Sequence, residues 1–508
     1  MENSQDRGGV GYWRNWLSFA GIGLLFVGFL SGGFLFAFEL VSGQTTPYLG
    51  VLYLLFTVLI VAGFVLVPIG MIRTRRARKT GMHPGALSEY RFDLNLADHR
   101  YVALSFLVVG SLVVLLTGIG SYKSFQATES VAFCGQLCHE VMNPEWVRYN
   151  ASPHARVRCA ECHIGAGADW FVKSKLSGLR QVWAVAVNSF SRPIPTPIHD
   201  LRPARETCEE CHWRRKFTGF KELVRAYSLS NEENSVHHMR MLIKIGGEQT
   251  TFLKGSGIHY HMLIANKVEY IPVDESRQEI AWVRVERGDG GVTEYRNQEF
   301  DLSDDELATR ERRTMDCMDC HNRPAHQYPT PVLSVDRAIE EGQISRDIPY
   351  IKVQAVKALS TAYGGVDAAV VGIANAVRQY YQEEYPEFIG KRSAELTSAI
   401  RKIQEIYQQS IFPEMQADWS AYPDNIGHLD SPGCFRCHNE DMQAEETGHT
   451  IFTTCNKCHL ILAQGDQIDQ VNVNLEEGLA FVHPEDFETI EEFSLCSECH
   501  TGGSDVYE

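Results

Sequence analysis

Every cysteine in the chain falls into one recurring pattern. The sequence has 14 cysteines in 508 residues, and they form seven pairs that are each followed directly by a histidine. Six pairs have the spacing Cys-x-x-Cys-His, and the first pair has one extra residue between its cysteines. The seven motifs are Cys134, Cys138 and His139; Cys159, Cys162 and His163; Cys208, Cys211 and His212; Cys317, Cys320 and His321; Cys434, Cys437 and His438; Cys455, Cys458 and His459; and Cys496, Cys499 and His500.

This spacing is the one that covalent haem attachment requires. Two thiols add across the two vinyl groups of one haem, and the following histidine then lies under the iron as its proximal ligand. Zinc ribbons would use paired Cys-x-x-Cys motifs without the fixed histidine, and disulfide scaffolds are typical of much shorter chains. The sequence therefore predicts seven covalently bound haem c groups. Because haem is attached outside the cytoplasm, we expect all seven motifs on the extracytoplasmic side of a membrane.

Three apolar stretches predict the membrane anchor. They cover about residues 16–41, 48–72 and 101–120, and each is long enough to cross a bilayer as a helix. The basic run at 73–79 follows the second stretch and predicts a cytoplasmic loop there by the positive-inside rule. We therefore expect a cytoplasmic N-terminus, three spans in the cytoplasmic (inner) membrane, and a periplasmic remainder. The stretches contain no histidine, so no b-type haem is expected within them. Glu39 is interpreted as an interfacial residue, with a proton acceptor as the alternative.

The sequence predicts a mainly α fold: three transmembrane helices and an extracytoplasmic multihaem domain of low regular-structure content, with a small β insertion. Alternating β-formers at 280–287, the turn at 289–291 and the β-formers after it predict a hairpin. Helical periodicity covers 368–377 and 394–407. The predicted segments are a helical hairpin (1–80), a cytoplasmic loop with the third span (81–125), a three-haem module (126–220), the β-rich insertion (221–305), the fourth haem with a helical region (306–425), and an acidic three-haem module (426–508).

Charge is concentrated in the last of these segments. Residues 426–508 hold seventeen acidic side chains against Arg436 and Lys457, and the whole chain has a net charge of −17. This balance excludes nucleic acid as a partner. It favours electrostatic steering of a periplasmic cytochrome or reductase with a basic docking face, and a merely solvated surface is the alternative.

Ten further histidines are available as distal haem ligands on the predicted periplasmic side. They are His154, His199, His237, His238, His259, His261, His326, His428, His449 and His483. This supply suffices for mostly bis-histidine haems, which are closed to small molecules and favour electron transfer. We select His154, His199, His259, His261, His326, His428 and His449 as distal ligands. His259 and His261 are expected on one face of a strand because they are two residues apart; surface or packing roles are the alternative. Which histidine serves which motif stays open.

The stretch from the third span to about residue 215 resembles the NapC/NirT/NrfH family of membrane-anchored quinol dehydrogenases. The resemblance rests on a single span leading into CGQLCHEVMNPEW, followed by SPHARVRCAECHIG, WFVKSKLSGLRQVW and RPARETCEECHW. It covers about a quarter of the chain and implies that the first haem lies against the membrane and accepts electrons from menaquinol or ubiquinol. Later haems of the family pass electrons to soluble reductases.

The resemblance also implies roles for individual residues. Met142 is similar in position to the family's axial methionine of the first haem, and His154 and His199 to distal ligands. Lys173 and Lys175 match basic positions near the family's quinol pocket. Independently of the family, aromatic residues interleaved with these lysines also predict an anchor at the lipid headgroups, and both roles stay open.

Three functions compete on this sequence. The leading hypothesis is a quinol dehydrogenase that passes electrons along a chain of haems. The second is an electron-transfer subunit that is fed by other membrane subunits through the helical hairpin. The third is a terminal multihaem reductase, although no Cys-x-x-Cys-Lys motif is present.

Overall fold

The computed structural model describes the chain in two compact units. It describes all residues except 1–14, 43–46, 80–94, 96, 138, 165–167, 199–202, 214–215, 247–256, 263–265, 301, 452–454, 467–476, 486–494 and 508. The first unit comprises Met1–Cys134 with Arg158–Arg180, and the second comprises Gly135–Val157 with Gln181–Glu508. The chain is mostly helical, with two small sheets.

Long helices dominate the first unit. They are α1 (Trp16–Ser42), α2 (Pro47–Lys79) and α3 (Ala97–Thr128), followed by the short α4 (Val131–Gln136). Farther along the chain are α6 (Cys159–His163) and α7 (Ala168–Ala186). Within the residues that are described, α1 and α2 are long and apolar enough to cross a membrane, with mean hydropathies of 1.8 over Trp16–Leu35 and 2.7 over Leu55–Ala77.

Glycines let α1 and α2 pack closely. A Cβ atom added at Gly28 would lie 2.6 Å from Cγ1 of Ile60, and one added at Gly63 would lie 2.6 Å from Cγ of Leu25. Small residues at such contacts allow two backbones to approach in a membrane, where van der Waals packing drives helix association. The hydroxyl of Ser18 adds a hydrogen bond to the carbonyl oxygen of Val67 at 3.1 Å. The predicted hairpin is therefore a tightly packed pair of helices.

A helical core occupies the middle of the second unit. The helices of this unit are α5 (His139–Asn150), α8 (Ala204–Cys208), α9 (Asp304–Thr309), α10 (Cys317–Cys320), α11 (Pro331–Glu340), α12 (Ile351–Ser360), α13 (Val366–Glu384), α14 (Pro386–Ser410) and α15 (Cys496–Cys499). The aliphatic stripes of α11 to α14 meet in one cluster in which Val335, Ile351, Ile373 and Ile403 are fully buried. The helices predicted at 368–377 and 394–407 are confirmed within α13 and α14.

Two antiparallel sheets complete the second unit. The strands are β1 (Gly219–Ser228), β2 (Val236–Gly246), β3 (Lys267–Pro272), β4 (Ile280–Glu286), β5 (Val292–Asn297), β6 (Arg313–Thr314), β7 (Met442–Ala444) and β8 (His459–Gly465). Their orders are β1-β2-β8 and β6-β3-β4-β5-β7. The predicted hairpin is confirmed: Glu286 pairs with Val292, and Gly290 adopts a φ of +83° in the turn. Strands from the acidic C-terminal segment thus complete both sheets.

The strand prediction for His259 and His261 was wrong. These residues lie in a turn that ends in a 3₁₀ helix over Tyr260–Met262. The N–H of Tyr260 donates to the carbonyl of Gly257, and the N–H of Met262 donates to that of His259, each at 3.0 Å. These local hydrogen bonds replace strand pairing, and Gly257 permits the turn with a φ of +113°.

Candidate haem and redox site

The Cys-x-x-Cys-His motifs fold as single turns that gather their side chains. In four of them the histidine N–H donates to the carbonyl oxygen of the first cysteine: His212 to Cys208 (2.7 Å), His321 to Cys317 (2.8 Å), His438 to Cys434 (3.1 Å) and His500 to Cys496 (2.8 Å). No disulfide joins the described cysteines. One turn therefore presents two thiols and one imidazole together, which fits one haem c per motif.

Consecutive motifs also lie next to one another. The thiol of Cys317 in the fourth motif contacts Cys208 of the third, and this hydrogen bond lowers the pKa of Cys317 to about 7. Burial and then the charge of Cys434 in the fifth motif raise the pKa of Cys320 to about 12.

The same succession continues to the last motif. Burial and then the charge of Cys434 in the fifth motif raise the pKa of Cys458 in the sixth. The charge of Cys455 in the sixth motif likewise adds to the effect of burial in raising the pKa of Cys496 in the seventh. The third to seventh motifs are therefore neighbours in sequence order.

Five histidine pairs have the spacing expected of two ligands on one iron. With Fe–N bonds of about 2 Å and about 1.1 Å from each nitrogen to its ring centre, the two ring centroids should lie about 6.2 Å apart. The observed pairs are His154–His212 (6.1 Å), His259–His321 (6.4 Å), His261–His438 (5.8 Å), His428–His459 (6.2 Å) and His483–His500 (6.1 Å). Each pair joins one histidine from outside the motifs to the proximal histidine of a different motif, covering the third to the seventh.

Backbone carbonyl groups orient most of the distal rings. Nδ1 of His154 lies 3.0 Å from the carbonyl oxygen of Pro324, and Nδ1 of His259 lies 3.0 Å from that of Ile245. Nδ1 of His261 lies 3.3 Å from the carbonyl oxygen of Ile258 in the same way. Nδ1 of His483 contacts both backbone groups of Glu485, lying 2.9 Å from its carbonyl oxygen and accepting from its N–H at 3.2 Å. An acceptor at Nδ1 fixes the tautomer and leaves Nε2 as the iron ligand, as is usual for metal-binding histidines. These residues therefore fit the role of axial haem ligands.

The His428–His459 pair is held differently. Nδ1 of each ring is buried without an acceptor. Phe435 stacks on His428 with ring centroids 4.3 Å apart, so packing rather than a hydrogen bond fixes this ring. Phe435 belongs to the fifth motif, whereas His459 belongs to the sixth, and the contact ties the two motifs together.

The other predicted ligands lie as follows. Cys138 and His199 fall outside the described residues, and the side chain of His139 is not described. Met142 lies half-buried in α5, His326 lies beside Glu145, and His449 is exposed after β7. Their roles stay predictions. His483, which the sequence offered among ten candidates but did not favour, is brought to His500, and its only signal in the sequence was its place in the acidic segment before the last motif.

The two lysines on α7 have different environments. Nζ of Lys175 lies 2.7 Å from a carboxylate oxygen of Glu129, whose side chain is only 8% exposed, and 3.4 Å from the hydroxyl of Thr128. Lys173 is exposed and stands 5.0 Å over the ring of Trp170. Residues two apart on a helix point to different sides. Lys175 therefore contacts the carboxylate of Glu129, while Lys173 contacts the ring of Trp170.

The Glu129–Lys175 pair lies beside the first haem motif. The pKa of Cys134 is raised well above its usual range, first by a hydrogen bond with Cys159 and then by burial; Glu129 raises it further and Lys175 lowers it. Glu129 was not among the residues predicted from the sequence, since it lies 46 residues before Lys175 in the chain. The available signal was a carboxylate five residues before the first haem cysteine, at the end of α3.

The outer face of α7 is apolar. Leu176, Leu179 and Trp183, which recur at helical spacing, are 64%, 68% and 68% exposed. An exposed apolar stripe on an amphipathic helix is typical of a helix that lies in a membrane interface. The stripe supports a location at the bilayer surface for the helix that carries both lysines.

The chain is similar to known cytochromes. Residues 97–218 match the family model described as the NapC/NirT cytochrome c family, N-terminal region. The chain is 41% identical over 502 residues to the cytochrome c-type protein ImcH of Geobacter sulfurreducens (strain ATCC 51573 / DSM 12127 / PCA). The matched stretch covers 98% of this chain and 97% of the relative. No solved structure matches it. The cysteine motifs, the family match and this full-length relative together show that the chain belongs to the NapC/NirT family of membrane-anchored c-type cytochromes.

Proposed function

We propose that the protein takes electrons from quinol, menaquinol or ubiquinol, at the membrane surface and passes them through seven haem groups to a periplasmic redox partner. The observation that carries the proposal is the Glu129–Lys175 pair beside Cys134 of the first motif. It combines a buried carboxylate with a cation at the end of a long apolar helix, where a quinol headgroup would arrive from the bilayer.

The pair suits the acid–base chemistry of quinol oxidation. Oxidation of one quinol to quinone releases two electrons and two protons. Glu129 accepts a proton from a quinol hydroxyl, and Lys175 stabilises the negative charge that develops on that oxygen. Bound haem c supplies the one-electron acceptors. Lys173, which stands over Trp170, anchors α7 at the lipid headgroups instead.

The neighbouring motifs support transfer over a long path. His154, His259, His261, His428 and His483 are proposed as distal ligands of the third to seventh haems, because their rings pair with the proximal histidines. His326 is proposed for a further haem, and Met142, His199 and His449 remain candidates. Two histidine ligands close an iron to small substrates, which favours electron transfer over terminal reduction.

We further propose that α3 is the third span, that the N-terminus is cytoplasmic, and that the haem domain is periplasmic. The basic residues at the end of α2 support a cytoplasmic loop between α2 and α3. The acidic C-terminal segment would face the electron acceptor and favour a partner with a basic surface.

The test is anaerobic stopped-flow reduction of the purified, haem-loaded protein by a menaquinol analogue. Lys175→Ala and Glu129→Gln are compared with Lys173→Ala, the matched control on the same helix. The expected result is that the first two variants are reduced about 10²-fold more slowly, the low end for loss of a proton-transferring group. Lys173→Ala keeps a rate close to that of the native protein. Dithionite reduces all four proteins equally.

Equal slowing by both lysine variants would refute the assignment of Lys175 as the quinol contact. A failure of quinol to reduce even the native protein, with normal dithionite reduction, would instead favour the electron-transfer subunit. The α1–α2 hairpin supports that second function, since Phe26 and Phe29 expose 62% and 58% of their surface and could contact another membrane subunit as well as lipid. Co-purification of a quinone-reactive subunit would then be expected.

A further inference from the structure

The loop after the fourth haem motif and helix α5 orient each other's histidines. Nδ1 of His154, which follows α5, lies 3.0 Å from the carbonyl oxygen of Pro324 in the loop. In return, Nδ1 of the loop residue His326 lies 3.1 Å from the carbonyl oxygen of Glu145 in α5 and 3.0 Å from its carboxylate oxygen Oε2. The contacts of the two histidines differ in charge: Nδ1 of His154 contacts a neutral carbonyl group, whereas Nδ1 of His326 also contacts a carboxylate.

The carboxylate of Glu145 is paired with a cation in a largely buried place. Its side chain is 18% exposed, the guanidinium of Arg323 lies 3.6 Å from Oε1, and the hydroxyl of Tyr328 donates to Oε1 at 3.2 Å. Because an arginine keeps its charge at any physiological pH, this contact favours the charged carboxylate beside His326.

The other oriented distal rings have neutral acceptors. His154, His259 and His261 each direct Nδ1 to a backbone carbonyl oxygen. A carboxylate makes an imidazole ligand more basic than a carbonyl does, and a more basic ligand stabilises the ferric form of the iron. Among these residues, His326 alone has a charged group at this position.

We propose that Glu145 sets the reduction potential of one haem: its carboxylate, acting through the distal ligand His326, makes that haem harder to reduce than the bis-histidine haem of His154 and His212. The inference rests on the proposed role of His326 as a haem ligand. It adds that the haem groups of this chain differ in reduction potential because the groups that contact Nδ1 of their histidine ligands differ in charge. Glu145 is a positioning residue, since it touches the ligand and not the iron.

The experiment is a mediated redox titration of the full haem-loaded protein, followed by low-temperature electron paramagnetic resonance. Glu145→Gln keeps the shape and removes the charge. At a fixed ambient potential it is expected to shift one haem about tenfold towards the reduced form, which corresponds to about 59 mV for one electron. The haem of His154 and His212 should not move, because its carbonyl acceptor is unchanged.

Four further variants test the interpretation. Glu145→Asp retains the charge and should restore most of the native potential, and Tyr328→Phe, which removes a neutral donor, should shift it far less. Arg323→Gln removes the opposing cation and should shift the same haem in the other direction, so the sign can be tested even where Glu145→Gln fails to assemble. His326→Met identifies the haem, because replacing histidine by methionine raises its potential.

The results separate the inference from the proposed function. A shift in Glu145→Gln at the haem that His326→Met alters supports the inference. An altered haem in His326→Met with no shift in either charge variant overturns the role of Glu145 and leaves the ligand intact. No altered haem in His326→Met overturns both statements about His326. None of these measurements uses quinol, so none depends on the quinol site.

Discussion

Replacing the two histidines of one turn should alter two separate haem groups. His259 faces the proximal His321 of the fourth motif, whereas His261 faces the proximal His438 of the fifth, with ring centroids 6.4 Å and 5.8 Å apart. Only Tyr260 separates them in the chain. His259→Met and His261→Met should therefore each change one haem, and the double variant should change two.

The structure also predicts which signal each variant removes. The ring planes of His259 and His321 are inclined by 14°, and those of His261 and His438 by 82°. The relative orientation of two axial imidazoles sets the splitting of the iron d orbitals, so electron paramagnetic resonance distinguishes parallel from perpendicular pairs. His259→Met should remove a parallel-type signal and His261→Met a perpendicular-type signal. In each variant a single haem should rise in potential, as expected when methionine replaces histidine.

Quantitative haem and spin counts decide the outcome. Each single variant should keep its full complement of covalently attached haem, because the cysteines are untouched, and should lose the signal of one bis-histidine haem. Tyr260→Phe serves as the matched control, since it changes the residue between the two histidines and leaves both rings in place. Loss of the same signal in both single variants, or of two signals in either, would refute the assignment of one turn to two irons.

Three other predictions test the surrounding structure. Lys352→Met leaves the buried carboxylate of Asp336 (2.9 Å away) without its cation, so unfolding followed by circular dichroism should show a loss of about 3–5 kcal/mol. Burial raises the pKa of Asp336 in the fold and Lys352 opposes that rise, so removing Lys352 should make this variant lose stability as the pH rises from acid through the raised pKa. Cys455→Ser with Cys458→Ser should raise hydrogen exchange in β2 and β8, since the sixth motif leads directly into β8.

Local sequence patterns were enough to predict the cysteine motifs, the β-hairpin and the long helices, because each of them depends on residues close together in the chain. The i, i+4 hydrogen bond from His321 to Cys317 needs no distant contact, and the turn at Gly290 is encoded by its own residues. The environments of Lys173 and Lys175 could not be separated from the sequence alone. Their difference depends on Glu129, which lies 46 residues before Lys175 and reaches it only in the folded unit.

Histidines could be selected as distal ligands, but the motif that each one faces was beyond prediction for the same physical reason. His154 stands five residues before Cys159, yet its ring pairs with His212 of the next motif. His428 stands six residues before Cys434, yet it pairs with His459. The fold decides which ring lies opposite each proximal histidine. A short distance along the chain therefore does not predict which two histidines pair. Even in one turn, His259 and His261 lie opposite the proximal histidines of two different motifs.

This crossing of ligands has a consequence for assembly. A haem attached at the fourth or fifth motif has its proximal histidine in place at once, because the motif is a single turn. Both proposed distal ligands lie in the turn before β3, where the carbonyl groups of Ile245 and Ile258 orient their rings. Two iron–histidine bonds would therefore couple their free energy to the ordering of one short turn, as metal binding and folding are coupled elsewhere.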